Sequence, residues 1–118
     1  ARSNGKDSIN CYNAAIATCG KAKRIDMALE VFEMIENSKG KLTPNTVTYT
    51  ALVASLSTNG MADVALKIFD QMSSRKGLKL DTIAYSAAMD ACARLGEWKK
   101  ALSFLDRLLN SGLRPDLT

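Results

Sequence analysis

The sequence predicts an all-α fold, an α-solenoid of three stacked helix-turn-helix repeats. Three observations carry that expectation. First, Tyr12, Tyr49 and Tyr85 stand 37 and 36 residues apart, and the pairs Ala28-Leu29, Ala65-Leu66 and Ala101-Leu102 each follow their tyrosine by the same 16 residues. A fixed period of this length marks a repeat architecture. Second, within each period apolar residues recur at the i, i+3, i+4, i+7 spacing of one helical face. Third, the chain holds 7 Gly and 2 Pro in 118 residues, below the roughly 12 % of average usage, which argues against a disordered or many-turned all-β chain.

The boundaries follow from the repeat. A tail covers residues 1–8, the units cover 9–45, 46–81 and 82–116, and 117–118 begin a further unit or tail, all in one continuous solenoid. First helices carry the stripes Tyr12, Ala15, Ile16, Cys19, then Tyr49, Leu52, Val53, Leu56, then Tyr85, Ala88, Met89, Cys92. Second helices carry Ala28, Val31, Phe32, Ile35, then Ala65, Ile68, Phe69, Met72, then Ala101, Phe104, Leu105, Leu108. Ser8, Asn45 and Asp81 precede the first helices as N-caps, their side-chain oxygens suited to an orphan backbone N–H. Breaks near Lys23-Arg24, Asn59-Gly60 and Leu95-Gly96 leave room only for tight antiparallel hairpins. A single hairpin cannot bury both of its apolar faces, so the three must stack, in a right-handed array where each touches the next.

Composition narrows the chemistry. There is no His, the commonest general base and metal ligand, so an enzyme is a distant third reading. Cys11, Cys19 and Cys92 are odd in number and show no C-x-x-C spacing, which points to neither a disulfide framework nor a zinc site, and no cofactor is expected. Cys19 and Cys92 fall on apolar stripes and read as small buried hydrophobes; Cys11 reads as nearer the surface. The tyrosines read as core residues, and Trp98 as inter-helix packing. Sixteen Lys and Arg against 12 Asp and Glu give +4, spread as +1 for each unit and +1 for the tail. That excess tolerates a polyanionic partner without demanding one. No apolar run reaches the ~18–20 residues of a membrane span. Opening on Ala-Arg-Ser and closing just after Asp116, the chain reads as a processed form or an excised piece.

The run Val47-Thr-Tyr-Thr-Ala-Leu-Val, then Asn59-Gly60, then Ala65-Leu66-Lys-Ile-Phe-Asp-Gln-Met72 and a closing Leu78-x-x-Asp81 resembles the pentatricopeptide repeat family. The resemblance runs from about Ile9 to Asp116. Tetratricopeptide repeats, with 34 residues, an early Trp and a Leu-Gly pair, match less well.

The resemblance implies binding of single-stranded RNA in organelle RNA metabolism, one base per repeat, read by two or three side chains in a concave groove. Carried onto this chain, the base-reading pairs are Asn13 with Asn45, Thr50 with Asp81, and Ser86 with Asp116. An Asp carboxylate can accept from the N1–H and exocyclic amine of guanine, while an Asn amide serves either way and suits a pyrimidine. The implied preference is 5′-(C/U)GG-3′, the RNA running parallel to the protein. The base-sandwiching position holds Val47 and Ile83 in units two and three and the polar Asn10 in unit one, so unit one should grip its base less firmly. Lys21 and Arg94 would face phosphate, with neutral Thr58 between them in the repeat register. The implied home is a chloroplast or mitochondrion.

Plainer readings of the same residues stay open. Asn45 and Asp81 are accounted for as helix caps, and Asp116 as the cap of a helix to follow; Asn13, Thr50 and Ser86 also fit a solvated face. Three stacked bases would contribute roughly 3–9 kcal/mol before ordering costs, which is millimolar to micromolar binding. Either more repeats flank this array, or it serves as a non-catalytic scaffold subunit held by protein neighbours in a ribosome or photosynthetic complex.

Overall fold

A computed structural model describes residues 5–75 and 77–112. Among them are six helices and no strand: α1 (Gly5–Lys21), α2 (Ile25–Glu36), α3 (Thr46–Thr58), α4 (Ala62–Ser74), α5 (Thr82–Leu95) and α6 (Trp98–Asn110). The pairs α1/α2, α3/α4 and α5/α6 are the three expected hairpins. None of these helices is long and apolar enough to cross a membrane.

Local chemistry sets the boundaries. Asn45 and Asp81 are extended N-caps whose side chains accept from the backbone N–H of Thr48 and Ala84. Asn45 is half of a capping box, because the Thr48 hydroxyl accepts in turn from the Asn45 N–H at 3.0 Å. Every hairpin turn closes with the same bond from five residues ahead: Arg24 N–H to Cys19, Met61 N–H to Leu56 and Glu97 N–H to Cys92, at 2.8, 2.9 and 2.8 Å. That closure needs one left-handed residue. Gly60 and Gly96 supply it at φ 81° and 72°, and Lys23 adopts φ 61° in the same place.

One boundary differs from expectation. Ser8 does not cap α1, which begins at Gly5 and runs straight through it. In the second unit Pro44 precedes the cap and its ring excludes helical conformation just upstream. Nothing in Lys6-Asp7-Ser8 interrupts a helix in that way.

Adjacent helices pack in a consistent pattern. α1 lies against α3 and α3 against α5, whereas the backbones of α2 and α4 approach the next hairpin at its first helix, α3 and α5, and second helices meet one another only through long side chains such as Gln71 with Glu36 and Phe69 with Phe104. First helices therefore form a continuous close-packed layer while the backbones of the second helices stand further apart, so α1, α3 and α5 are the inner side of the stack. The junctions are aromatic: Phe32 meets Tyr49 edge-on at 5.5 Å, Phe69 meets Tyr85 at 5.8 Å and Phe104 at 5.0 Å. The Tyr49 hydroxyl, on a ring wholly shielded from solvent, accepts from Arg75 Nη1 at 2.9 Å. All twenty-four stripe residues are at least partly buried. Tyr12 is less covered than Tyr49 and Tyr85, since among the described residues no hairpin precedes α1 to bring a Phe against it.

Trp98 corrects a second expectation. It is 64 % exposed and does not pack between helices. Its repeat equivalent Ala62 is 4 % exposed, and the same contrast separates Leu102 at 56 % from Leu66 at 6 %. The following hairpin covers Ala62 and Leu66; among the described residues none follows α6.

Candidate nucleic-acid interface

Five of the eleven candidate residues, Lys21, Val47, Thr50, Asp81 and Ile83, line hollows on the first-helix layer. On α3 the stripe turned away from the core is Val47, Thr50, Ala51, Ala54 and Thr58, spaced i, i+3, i+4, i+7 and i+11, so these side chains lie along one line. Two hollows adjoin along it and share Ala51. The first, of about 230 Å³, lies between α3 and α5 and is lined by Val47, Thr50, Ala51, Asp81 and Ile83. The second, of about 250 Å³, lies between α1 and α3, with Lys21, Ala54 and Thr58 among its walls.

The α3–α5 hollow brings together both residues expected to read the base in unit two, Thr50 and Asp81, and two of those expected to sandwich it, Val47 and Ile83. Val47 and Ile83 stand 60 % and 66 % exposed on the first turns of their helices and together give the hollow an apolar rim. Thr50 Oγ1 is buried and has no hydrogen-bond partner, the one such side-chain atom among the described residues. A buried hydroxyl without a partner costs about 1–3 kcal/mol, and a χ1 rotation that turned it into the hollow would let a ligand's donor or acceptor recover that cost. Asp81 uses Oδ1 to cap α5, accepting from Ala84 at 2.8 Å, and its side chain is otherwise exposed. Capping thus occupies one oxygen of the carboxylate, Oδ1.

The unit-one pair is arranged differently. Asn13 and Asn45 do meet, Asn13 Nδ2 donating to Asn45 Oδ1 at 3.1 Å. Asn13 is only 4 % exposed, however, rather than open on a solvated face, and its Oδ1 also accepts from the Thr48 hydroxyl. Thr48 is wholly buried between α1 and α3 and ties the pair shut from behind. A neutral amide in that wedge is stabilised by satisfying both of its ends. Asn10 is exposed, as is Ser86 on α5, while Asp116 lies outside the described residues. Thr48 was not legible as part of this pair: in the sequence it is a polar residue beside a core tyrosine, and its role depends on how closely α1 approaches.

The two cations also differ. Lys21 is exposed at the edge of the α1–α3 hollow. Arg94 is exposed but paired, its Nε donating to Asp90 Oδ2 at 2.9 Å, so its charge is already compensated. Among the described residues no group of His, Cys, Asp or Glu could hold a metal ion. Cys11 is exposed, and burial raises the Cys92 thiol above its ordinary range.

Comparison with known proteins finds helical-repeat families along the chain. Residues 2–59 match the pentatricopeptide repeat domain, residues 44–94 the PPR repeat family and residues 83–113 the PPR repeat. Relatives in Arabidopsis thaliana include a mitochondrial pentatricopeptide repeat-containing protein, 32 % identical over 92 % of this chain and 17 % of its own length. A chloroplastic one is 31 % identical over 82 % of this chain and 12 % of its own length. A small ribosomal subunit protein is 26 % identical over 89 % of this chain and 25 % of its own length. The chain thus spans a quarter or less of the relatives it resembles. With three hairpins in one register and family matches running from residue 2 to residue 113, the chain belongs to the pentatricopeptide repeat family, whose repeats are non-catalytic and typically bind RNA in organelles.

Proposed function

We propose that this chain is a base-selective reader of single-stranded RNA in a chloroplast or mitochondrion, one base per repeat, with its sharpest reading at the second unit. The observation that carries the reading is the α3–α5 hollow. Two exposed aliphatic side chains, Val47 and Ile83, flank a partnerless buried hydroxyl on Thr50 and the carboxylate of Asp81. A flat base between the aliphatics removes apolar surface from water on both faces. A guanine there would offer its N1–H and exocyclic amine to Asp81, which keeps Oδ2 for the purpose. Ser86 with Asp116 is the corresponding pair of unit three, and Asn13 with Asn45 that of unit one, the latter working only when its bonds to Thr48 rearrange. The implied preference remains 5′-(C/U)GG-3′, with its firmest demand at the central guanine.

Titration of short RNAs carrying CGG, UGG or CAG, at several salt concentrations, tests this. Replacing the central guanine by adenine should weaken binding about tenfold, the 1.4 kcal/mol worth of one good hydrogen-bonded contact. Asp81→Asn should erase that preference. Equal affinity for all three RNAs, unchanged by Asp81→Asn, would leave the second reading, a protein-held scaffold. That reading is favoured by the ribosomal relative and by the exposed Trp98 and Leu102 at the α6 end.

A further inference from the structure

The inner stripe of each first helix keeps one register, so equivalent positions along the trough can be compared. Ala17 on α1, Ala54 on α3 and Asp90 on α5 are equivalent, 37 and 36 residues apart, as are Lys21, Thr58 and Arg94. At the α1–α3 junction two alanines face the trough and leave a hollow of about 250 Å³ beside the exposed Lys21. At the α3–α5 junction a carboxylate stands where the alanine would be. Asp90 Oδ2 accepts from Ser57 Oγ on α3 and from Arg94 Nε on its own helix, both at 2.9 Å. Asp90 and Arg94 side chains remain 49 % and 47 % exposed, so the pair presents itself to whatever lies in the trough.

We infer that Asp90 decides where along the trough the RNA phosphodiester is held, admitting it beside Lys21 and turning it away at the α3–α5 junction. The inference rests on the RNA-binding reading and adds a residue to it. An exposed ion pair holds its partners weakly, so Arg94 can swing toward a phosphate. Asp90 cannot follow it out of the way: Ser57 anchors the carboxylate from the neighbouring helix, and a phosphate arriving at Arg94 meets that fixed negative charge. The hydrogen bonds from Arg94 and Ser57 also hold the Asp90 carboxyl below the usual carboxylate range, so it is charged at neutral pH. The strand is then gripped through its backbone at one junction and through a base at the other.

The test compares the whole chain with Asp90→Asn, which removes the charge while keeping an oxygen for Ser57, and with Lys21→Ala. The probe is a fluorescent seven-nucleotide RNA with a central CGG, its affinity measured from 50 to 300 mM salt. Asp90→Asn should bind about fivefold more tightly at low salt, with a log–log salt slope steeper by about 0.7, because Arg94 then neutralises one phosphate more. Adding Arg94→Ala to it should return the slope to the starting value, and Lys21→Ala should flatten the slope by about 0.7. Unfolding midpoints of each variant separate these effects from loss of structure, which would not steepen a salt slope. If the unaltered chain selects its RNA but Asp90→Asn matches it in affinity and slope, the inference fails and the RNA reading stands. If no variant binds selectively, both fall.

Discussion

A methyl group on Gly20 should drive the first two hairpins apart. Gly20 is buried on α1 where it crosses α3, and its carbonyl accepts from Asn59 Nδ2 at 3.1 Å. A Cβ built there would lie 2.1 Å from Ser55 Oγ, 2.6 Å from Ser55 Cβ and 3.2 Å from Ser55 Cα. The hydroxyl can rotate away, but the Cβ and the backbone behind it cannot move without moving α3. In an isolated helix Gly→Ala contributes about 1 kcal/mol of stability. Overpacking a close junction costs about 1–3 kcal/mol, and contact with backbone puts this site toward the upper end. The net expectation is a destabilisation of about 1–2 kcal/mol, a fall in midpoint of about 4–8 °C for a domain of this size. Thermal and urea unfolding followed by circular dichroism would measure it. Ser55→Gly in the same chain removes the two closest atoms, so the double variant should be less destabilised than the sum of the single ones, the sign of a direct clash. A Gly20→Ala chain as stable as the parent, or additive behaviour in the double variant, would refute the close crossing. It would also remove the basis for the narrow trough beside Lys21, which that crossing sets.

Lys23→Gly should stabilise the chain by about 1 kcal/mol in urea unfolding, because Lys23 holds the left-handed position that glycine fills in the other two turns. Phe69→Ala should cost about 3–5 kcal/mol, since its wholly buried ring touches both Tyr85 and Phe104 and joins two hairpins. A thiol reagent should modify exposed Cys11 rapidly and buried Cys92 only as the chain opens, so that urea accelerates the second reaction far more than the first. Asp90 has a lowered folded-state pKa, so its contribution is present above the ordinary carboxylate range and is lost as pH falls through the lowered value. Asp90→Asn should therefore flatten the acid limb of a midpoint-against-pH curve, and an unchanged limb would show the ion pair to be inert.

The repeat, the hairpins and nearly all of the core were legible in the sequence because they are encoded locally. A 3.6-residue apolar period, a cap and a left-handed turn residue each act within one or two helical turns, and three copies in register reinforce the signal. Asn45 and Asp81 could be read as caps for that reason. The reading pairs were harder, since their members lie some thirty residues apart in sequence. Thr50 and Asp81 share a hollow as the register implies, yet nothing in the chain announces that Thr48 ties Asn13 and Asn45 together or that Ser57 holds Asp90 from the neighbouring helix. The burial expected of Trp98 failed for a related cause: covering it takes a following hairpin.

What the amino-acid order determined alone was the succession of helices and the face each turns to its neighbours, since both depend on side chains a few residues apart. Tertiary structure decided which polar groups are left over once neighbouring hairpins meet. Whether an amide is closed off, a hydroxyl stranded or a carboxylate pinned from a neighbouring helix depends on ångström-scale approaches between segments distant in the chain, and helical periodicity carries no record of those distances.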